Sequence, residues 1–145
     1  MDNLASDSLI AVQDFRKRIV NLLAKSALTS LPRKDTDKLC LLLALAEYFE
    51  RGRDYGEIEV NEVLQRWLNA NSPEGNIDLV NLRRLLVDFK FLARSSDGLA
   101  YRLDPDGSGF TAFSPEVLEL NIAELIEEEK QAIAARRAKY QQEQS

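Results

Sequence analysis

The chain of 145 residues contains no histidine and a single cysteine, Cys40. Without imidazole it lacks the commonest metal ligand and the side chain best suited to proton transfer near neutral pH. One thiol cannot close an intramolecular disulfide, which points to a reducing, cytoplasmic compartment. Six glycines and four prolines are too few for a collagen-like or low-complexity chain. Long hydrophobic runs are missing as well. The longest, Leu39 to Ala46, spans eight residues, against the ~20 needed to cross a bilayer. Met1-Asp2-Asn3 offers neither the basic start nor the apolar centre of a signal peptide. No cofactor or metal is expected, no membrane association, and no enzymatic activity.

A basic surplus is also lacking. Residues 1–30 carry four basic and three acidic groups, residues 31–104 eleven and thirteen, and residues 105–145 four and eight. Duplex-binding domains usually owe their non-specific affinity to a strong positive excess. A formal net charge of −5 argues against simple phosphate-driven binding.

What is present is amphipathic periodicity. With 45% apolar residues the chain can bury one ordinary core. Ser6, Asp7 and Ser8 can cap a helix over 7–26, whose stripe is Val12, Phe15, Ile19, Leu22 and Leu23. Arg16-Lys17-Arg18 lies off that stripe and reads as a solvated face. Residues 34–51 form a second helix, apolar over so much of its circumference that it must be central, with Cys40 a buried small hydrophobe. After the turn 51–56, Val60, Val63, Leu64, Trp67 and Leu68 mark a helix over 57–68, with Trp67 buried against the preceding helix. Glu57 and Glu59 sit in its first turn, where the helix dipole favours negative charge.

A third helix over 78–90 starts at the N-cap Asp78 and buries Leu79, Leu82, Leu85, Leu86 and Phe89. Ser95-Ser96-Asp97-Gly98 then joins two short alternating strands into a hairpin over 91–103. Three helices and a hairpin make a winged helix-turn-helix. In that fold the helix 78–90 would lie in the major groove of double-stranded DNA, its N-terminal residues nearest the bases. Asn81 and Arg84 are suitable base-reading types, and Lys90, Arg94 and Arg102 are candidates for phosphate. Arg84 also precedes Asp88 by four residues, a spacing that permits an intrahelical ion pair.

The blocks Arg53-Asp54-Tyr55-Gly56-Glu57-Ile58-Glu59-Val60-Asn61-Glu62-Val63-Leu64, Leu82-Arg83-Arg84-Leu85-Leu86-Val87-Asp88 and Gly98-Leu99-Ala100-Tyr101 resemble, in order, the bacterial DUF2087 family. Gly56 stands where that pattern usually has threonine, and the loop 69–77 is longer than usual. The resemblance covers about residues 31–104. It implies a helical domain with a wing and a link to transcription, since the domain is found alone or attached to transcriptional regulators. It brings no assigned catalytic residues. The matching polar residues Glu59, Asn61, Arg83 and Asp88 would form a structural network joining the helices 57–68 and 78–90, because such groups need partners when buried.

Residues 105–109 read as a plain linker, and Ser114-Pro115-Glu116 starts a long helix over 115–138, with serine as N-cap and proline at N1. The chain thus divides into an N-terminal helix (1–30), a winged-helix domain (31–104), and a linker with C-terminal helix (105–145). The two flanking helices could build a homodimer. Two functional classes fit this pattern: a DNA-binding, transcription-associated regulator, and an acidic adaptor that uses the same fold to bind a partner protein.

Overall fold

The apolar segment 39–46 belongs to α2 (Asp35–Ala46), and every residue from 40 to 46 is buried. A helix apolar on all sides has no solvent face, so neighbours must surround it. In the computed structural model, which describes residues 9–144, they do. α1 (Val12–Ile19) packs on α2 through the fully buried Phe15 and Ile19 and continues as a π-helical turn, Val20–Ala24. Arg18 adds a polar tie, donating to Asp14 Oδ1 at 2.9 Å and to Asp37 Oδ1 of α2 at 2.8 Å.

α3 (Glu57–Asn71) buries Val60, Val63, Leu64, Trp67 and Leu68, and α4 (Leu79–Asp88) buries Leu82 and Leu86. α4 packs on α2 and α3 and leads into β1 (Leu92–Arg94), which pairs antiparallel with β2 (Tyr101–Leu103). The pairs are Leu92 with Leu103, Ala93 with Arg102 and Arg94 with Tyr101. Gly98 takes the left-handed conformation that the reversal requires, with φ 76°. Then follow α5 (Ser108–Thr111), α6 (Pro115–Leu118) and α7 (Ile122–Gln144). Side chains from Ile10 through Ile126 join one hydrophobic cluster. The fold is mainly helical with a small hairpin, as the periodicity predicts. Among the described residues no helix is long and apolar enough to cross a membrane.

Several boundaries differ from the sequence expectation. The expected caps Ser6, Asp7 and Ser8 lie outside the described residues. Residues 9–11 are not helical; Ile10 makes a parallel bridge with Phe113 instead. α2 ends at Ala46 rather than at residue 51. Tight bonds from the Tyr48 and Phe49 amides to Leu45 and Ala46 close it, and Phe49 packs edge-on against Tyr55 at 5.0 Å. Apolar spacing up to Phe49 cannot reveal this, because a buried side chain just past a helix end keeps the period. Tyr55, read as part of a plain turn, exchanges two backbone hydrogen bonds with Tyr101 of β2, at 2.8 and 2.7 Å.

The largest correction is at the C-terminal helix. It is broken between Leu118 and Ile122, and the Ser114 side chain makes no capping bond. Residues 105–109 are also more than a linker, since the chain after Asp104 turns directly into α5. Phe110 of α5 packs edge-on against Phe91 at 5.1 Å, and Phe113 against Phe15 at 5.9 Å. Gly109 is required there, because a Cβ would come within 2.6 Å of the Phe89 carbonyl oxygen. The break before α7 lets both Val117 and Ile122 reach the core, at 0% and 1% exposure.

A new helix N-terminus needs acceptors for its free amides. Asn121 Oδ1 accepts from the Glu124 amide at 3.1 Å, and Glu47 Oε2, from the end of α2, accepts from the Ile122 amide at 3.2 Å. Glu47 is exposed as a residue, yet its carboxyl lies against α7. Burial there pushes it up to about 7, while the Ile122 and Ala123 amides pull it down.

Two outcomes follow. Trp67 is 1% exposed, so Trp67→Ala should cost ~3–5 kcal/mol in chemical denaturation, as for other large buried aromatics; a loss below ~1 kcal/mol would contradict its place in the core. For Glu47 the folded-state pKa of about 7 lies above the ordinary 4.5. Its contribution is therefore complete below the ordinary value and lost as pH rises through 7. Glu47→Gln, which keeps an acceptor for Ile122, should melt close to wild type at about pH 5 and above it at about pH 8. A constant difference across that range would refute the shift.

Candidate nucleic-acid interface

α4 is aimed by its caps. Asp78 accepts from the Val80 amide at 3.2 Å at the start. At the end Lys90 sits at φ 64°, with the Phe91 amide bonded to the Leu86 carbonyl and the Lys90 amide to Val87. This double closure is a Schellman motif, in which a left-handed residue turns the chain away from the helix. With Leu82 and Leu86 in the core, Asn81, Arg84 and Asp88 line up on the exposed face.

Arg83 lies on the flank toward α3, and its side chain is only 14% exposed. Its guanidinium donates from Nη1 to Asn61 Oδ1 at 2.6 Å and from Nη2 to Glu57 Oε1 at 3.0 Å. One arginine thus ties the first turns of α3 to the middle of α4. Asn61 and Arg83 are brought together, with Glu57 as a partner that the sequence reading assigned only to the helix dipole. Glu59 is held elsewhere. It accepts from the Gly56 amide at 3.1 Å and from Arg53 Nη2 at 3.0 Å, and these two contacts hold its carboxyl below the usual range. Arg53 also covers the Tyr55 ring at 4.6 Å. Asp88 stays on the surface; among the described residues it makes no ion pair with Arg84 or any other residue.

Between α4 and the hairpin lies an open cleft of about 460 Å³ lined by Glu57, Arg83, Arg84, Asp88, Arg94 and Tyr101, among others. Arg94 faces Tyr101 across the hairpin, its guanidinium 5.8 Å from the ring centre, and Nε reaches the Gly98 carbonyl at 3.4 Å. Directly paired residues share a face of an antiparallel ribbon, so Arg102, paired with Ala93, points to the other side. There it forms an ion pair with Asp54 at 2.8 Å. The structure therefore gathers Arg84 and Arg94 at one cleft and separates Arg102 from them. Lys90 is exposed at the far end of α4 from Asn81.

The sequence reading missed Tyr101 as a member of this site. The turn read at 95–98 would set Arg94 against Leu99; the observed connection runs over 95–100, and this two-residue shift puts Tyr101 opposite Arg94 instead. Elsewhere, burial pushes the Cys40 thiol up to about 12, which leaves it unreactive. Among the described residues no cluster of three or more Cys, Asp or Glu side chains is placed to hold a metal ion.

The two neighbouring arginines should behave differently. Arg83→Ala strips the partners of a mostly buried group and should cost ~1–3 kcal/mol. Arg84→Ala removes an exposed side chain without an ion pair and should change stability by less than ~0.5 kcal/mol. Paired urea denaturation curves check this, and equal losses would show that the Arg83 network carries no special weight.

The family model described as an uncharacterized protein conserved in bacteria, DUF2087, matches residues 27–103, just over half of the 145 residues. No curated protein and no solved structure matches the chain. The matched segment begins just past the π-helical turn and runs through α2, α3, α4 and the hairpin, and so contains the Arg83–Asn61 tie and the α4–hairpin cleft. The chain belongs to the bacterial DUF2087 family.

Proposed function

We propose that this protein is a winged-helix, DNA-binding module of a bacterial transcription-associated regulator, with α4 in the major groove and the hairpin as its wing. The observation that carries this reading is the pair Arg84 and Arg94, which line one open cleft and make no ion pair among the described residues. Among the described residues, an unpaired guanidinium on each wall, against the one free carboxylate of Asp88, suits a phosphodiester backbone passing between helix and wing. Asn81 and Arg84 occupy the exposed face of α4 and are the base-reading candidates. Further support comes from the order of elements: a buried helix, the bridging Tyr55, two helices tied by Arg83, and a hairpin.

A second reading, an adaptor for a partner protein, is favoured by a different observation. The net charge is −5, Arg102 is already paired with Asp54, and Leu99 at the hairpin tip is 74% exposed. An exposed leucine at a projecting tip suits a protein contact better than a phosphate. In either case the last turns of α7, exposed beyond Ile133, offer a surface for a homodimer.

Duplex binding measured against salt separates the two. For a DNA-binding module the affinity for random-sequence duplex falls steeply with salt. Arg94→Ala weakens binding to all sequences alike and lowers the salt slope by about one, while Arg84→Ala costs ~1–3 kcal/mol on a preferred site and relaxes it at one position. Absence of binding at low salt, with both variants folded, would overturn the DNA reading and leave the adaptor.

A further inference from the structure

A second cleft lies away from α4. It has a volume of about 720 Å³ and lies where the end of α2 meets the β2 end, α5, α6 and the start of α7. Its size falls within the range of sites that hold small molecules, and its lining has their composition, an apolar wall with a few polar groups. Leu43, Phe49, Leu103, Phe110 and Val117 are all buried and supply the wall. Three charged side chains line it: Glu47 at the C-cap of α2, Arg51 from the turn that follows, and Glu119 from the break before α7. None of the three makes an ion pair among the described residues.

We propose that this cleft binds a small organic cation with an apolar body, such as an aromatic or alkyl amine, whose ammonium group meets the Glu47 carboxylate. Three observations lead to this chemistry. The cleft carries two carboxylates against one guanidinium, so its own field favours positive charge, and the −5 of the whole chain adds to that field. Glu47 is partly desolvated against α7 without a cation beside it, so a bound ammonium would offset the cost of keeping it ionised. A carboxylate has about four acceptor positions, and the amides at the start of α7 occupy only part of that capacity. Phe49 and Phe110 give the hydrocarbon body of the ligand an aromatic wall, and π faces tolerate a cation nearby.

The site also has a mechanical consequence. Glu47 holds the first turn of α7 through the Ile122 amide, so a ligand that keeps Glu47 ionised also strengthens that cap. The same carboxylate would bind the amine and anchor the C-terminal helix.

The test is calorimetric titration of the full chain with 2-phenylethylamine, and with phenylacetate and 2-phenylethanol as its matched anion and neutral alcohol. At about pH 8 the amine is still protonated and Glu47 ionised. The amine should bind with a Kd of about 10 µM to 1 mM, as expected of a fragment-sized ligand. The alcohol and the anion should bind at least about tenfold more weakly, the usual worth of one charged contact. Glu47→Gln retains the acceptor for Ile122 and should abolish the preference for the amine. Arg51→Ala should leave amine binding unchanged or tighten it. Ala123→Trp, at the exposed rim, should block the amine with little change in melting temperature, which keeps the test valid if Glu47→Gln fails to fold. Equal binding of all three probes, tighter binding of phenylacetate that depends on Arg51, or no binding of the amine would each overturn the proposal.

Discussion

The structure depends on the burial of α2. From Cys40 to Ala46 every side chain is inside, and no rotation of the helix can present a polar face to water. Burial at roughly 25 cal/mol per Å² of apolar area makes exposure of even one side of such a helix costly. The surrounding elements are therefore not optional additions to a three-helix core. α1 packs on α2 with Phe15 and Ile19, α4 with Leu82 and Leu86 and α5 with Phe110, while the long C-terminal helix α7 packs chiefly on the π-helical turn and meets the end of α2 through the Ile122–Glu47 bond.

Once α2 is covered, a few polar contacts determine how the exposed elements are oriented. Arg83 joins α4 to α3 through Asn61 and Glu57. Tyr55 joins the start of α3 to the hairpin by two backbone bonds to Tyr101. These contacts involve little area, yet they decide which arginines meet. The Arg83 tie turns Arg84 outward, and the strand register turns Arg94 toward the same cleft while sending Arg102 to Asp54. Of the three arginines read alike as nucleic-acid candidates, Arg102 is paired with Asp54 while Arg84 and Arg94 converge on one cleft.

The α4–hairpin cleft and the cleft at the start of α7 share no lining residue and differ in chemistry. The first is basic on balance and open, suited to an extended anionic partner. The second has an apolar wall and a carboxylate surplus, suited to a small cation. The chain's overall acidity works against anion binding at the first and adds to the field of the second.

Periodicity was enough to place α2, α3, α4 and the hairpin, because each must bury one apolar face and the spacing of that face is written into the residues. The burial of Trp67 and Cys40 was legible for the same reason. The DUF2087 resemblance was legible from ordered blocks of residues. The ends of α2 and the break before α7 were not, since an apolar residue such as Phe49 or Ile122 keeps its period whether the backbone stays helical or turns. Nor could the sequence say that Glu59 would pair with Arg53, that Arg84 and Asp88 would stay apart, or that Glu47 would cap a helix 75 residues away. The sequence alone determined which faces are apolar, a local property of each segment. Only the tertiary structure decided which polar groups meet, because that follows from how the segments must arrange themselves to surround α2.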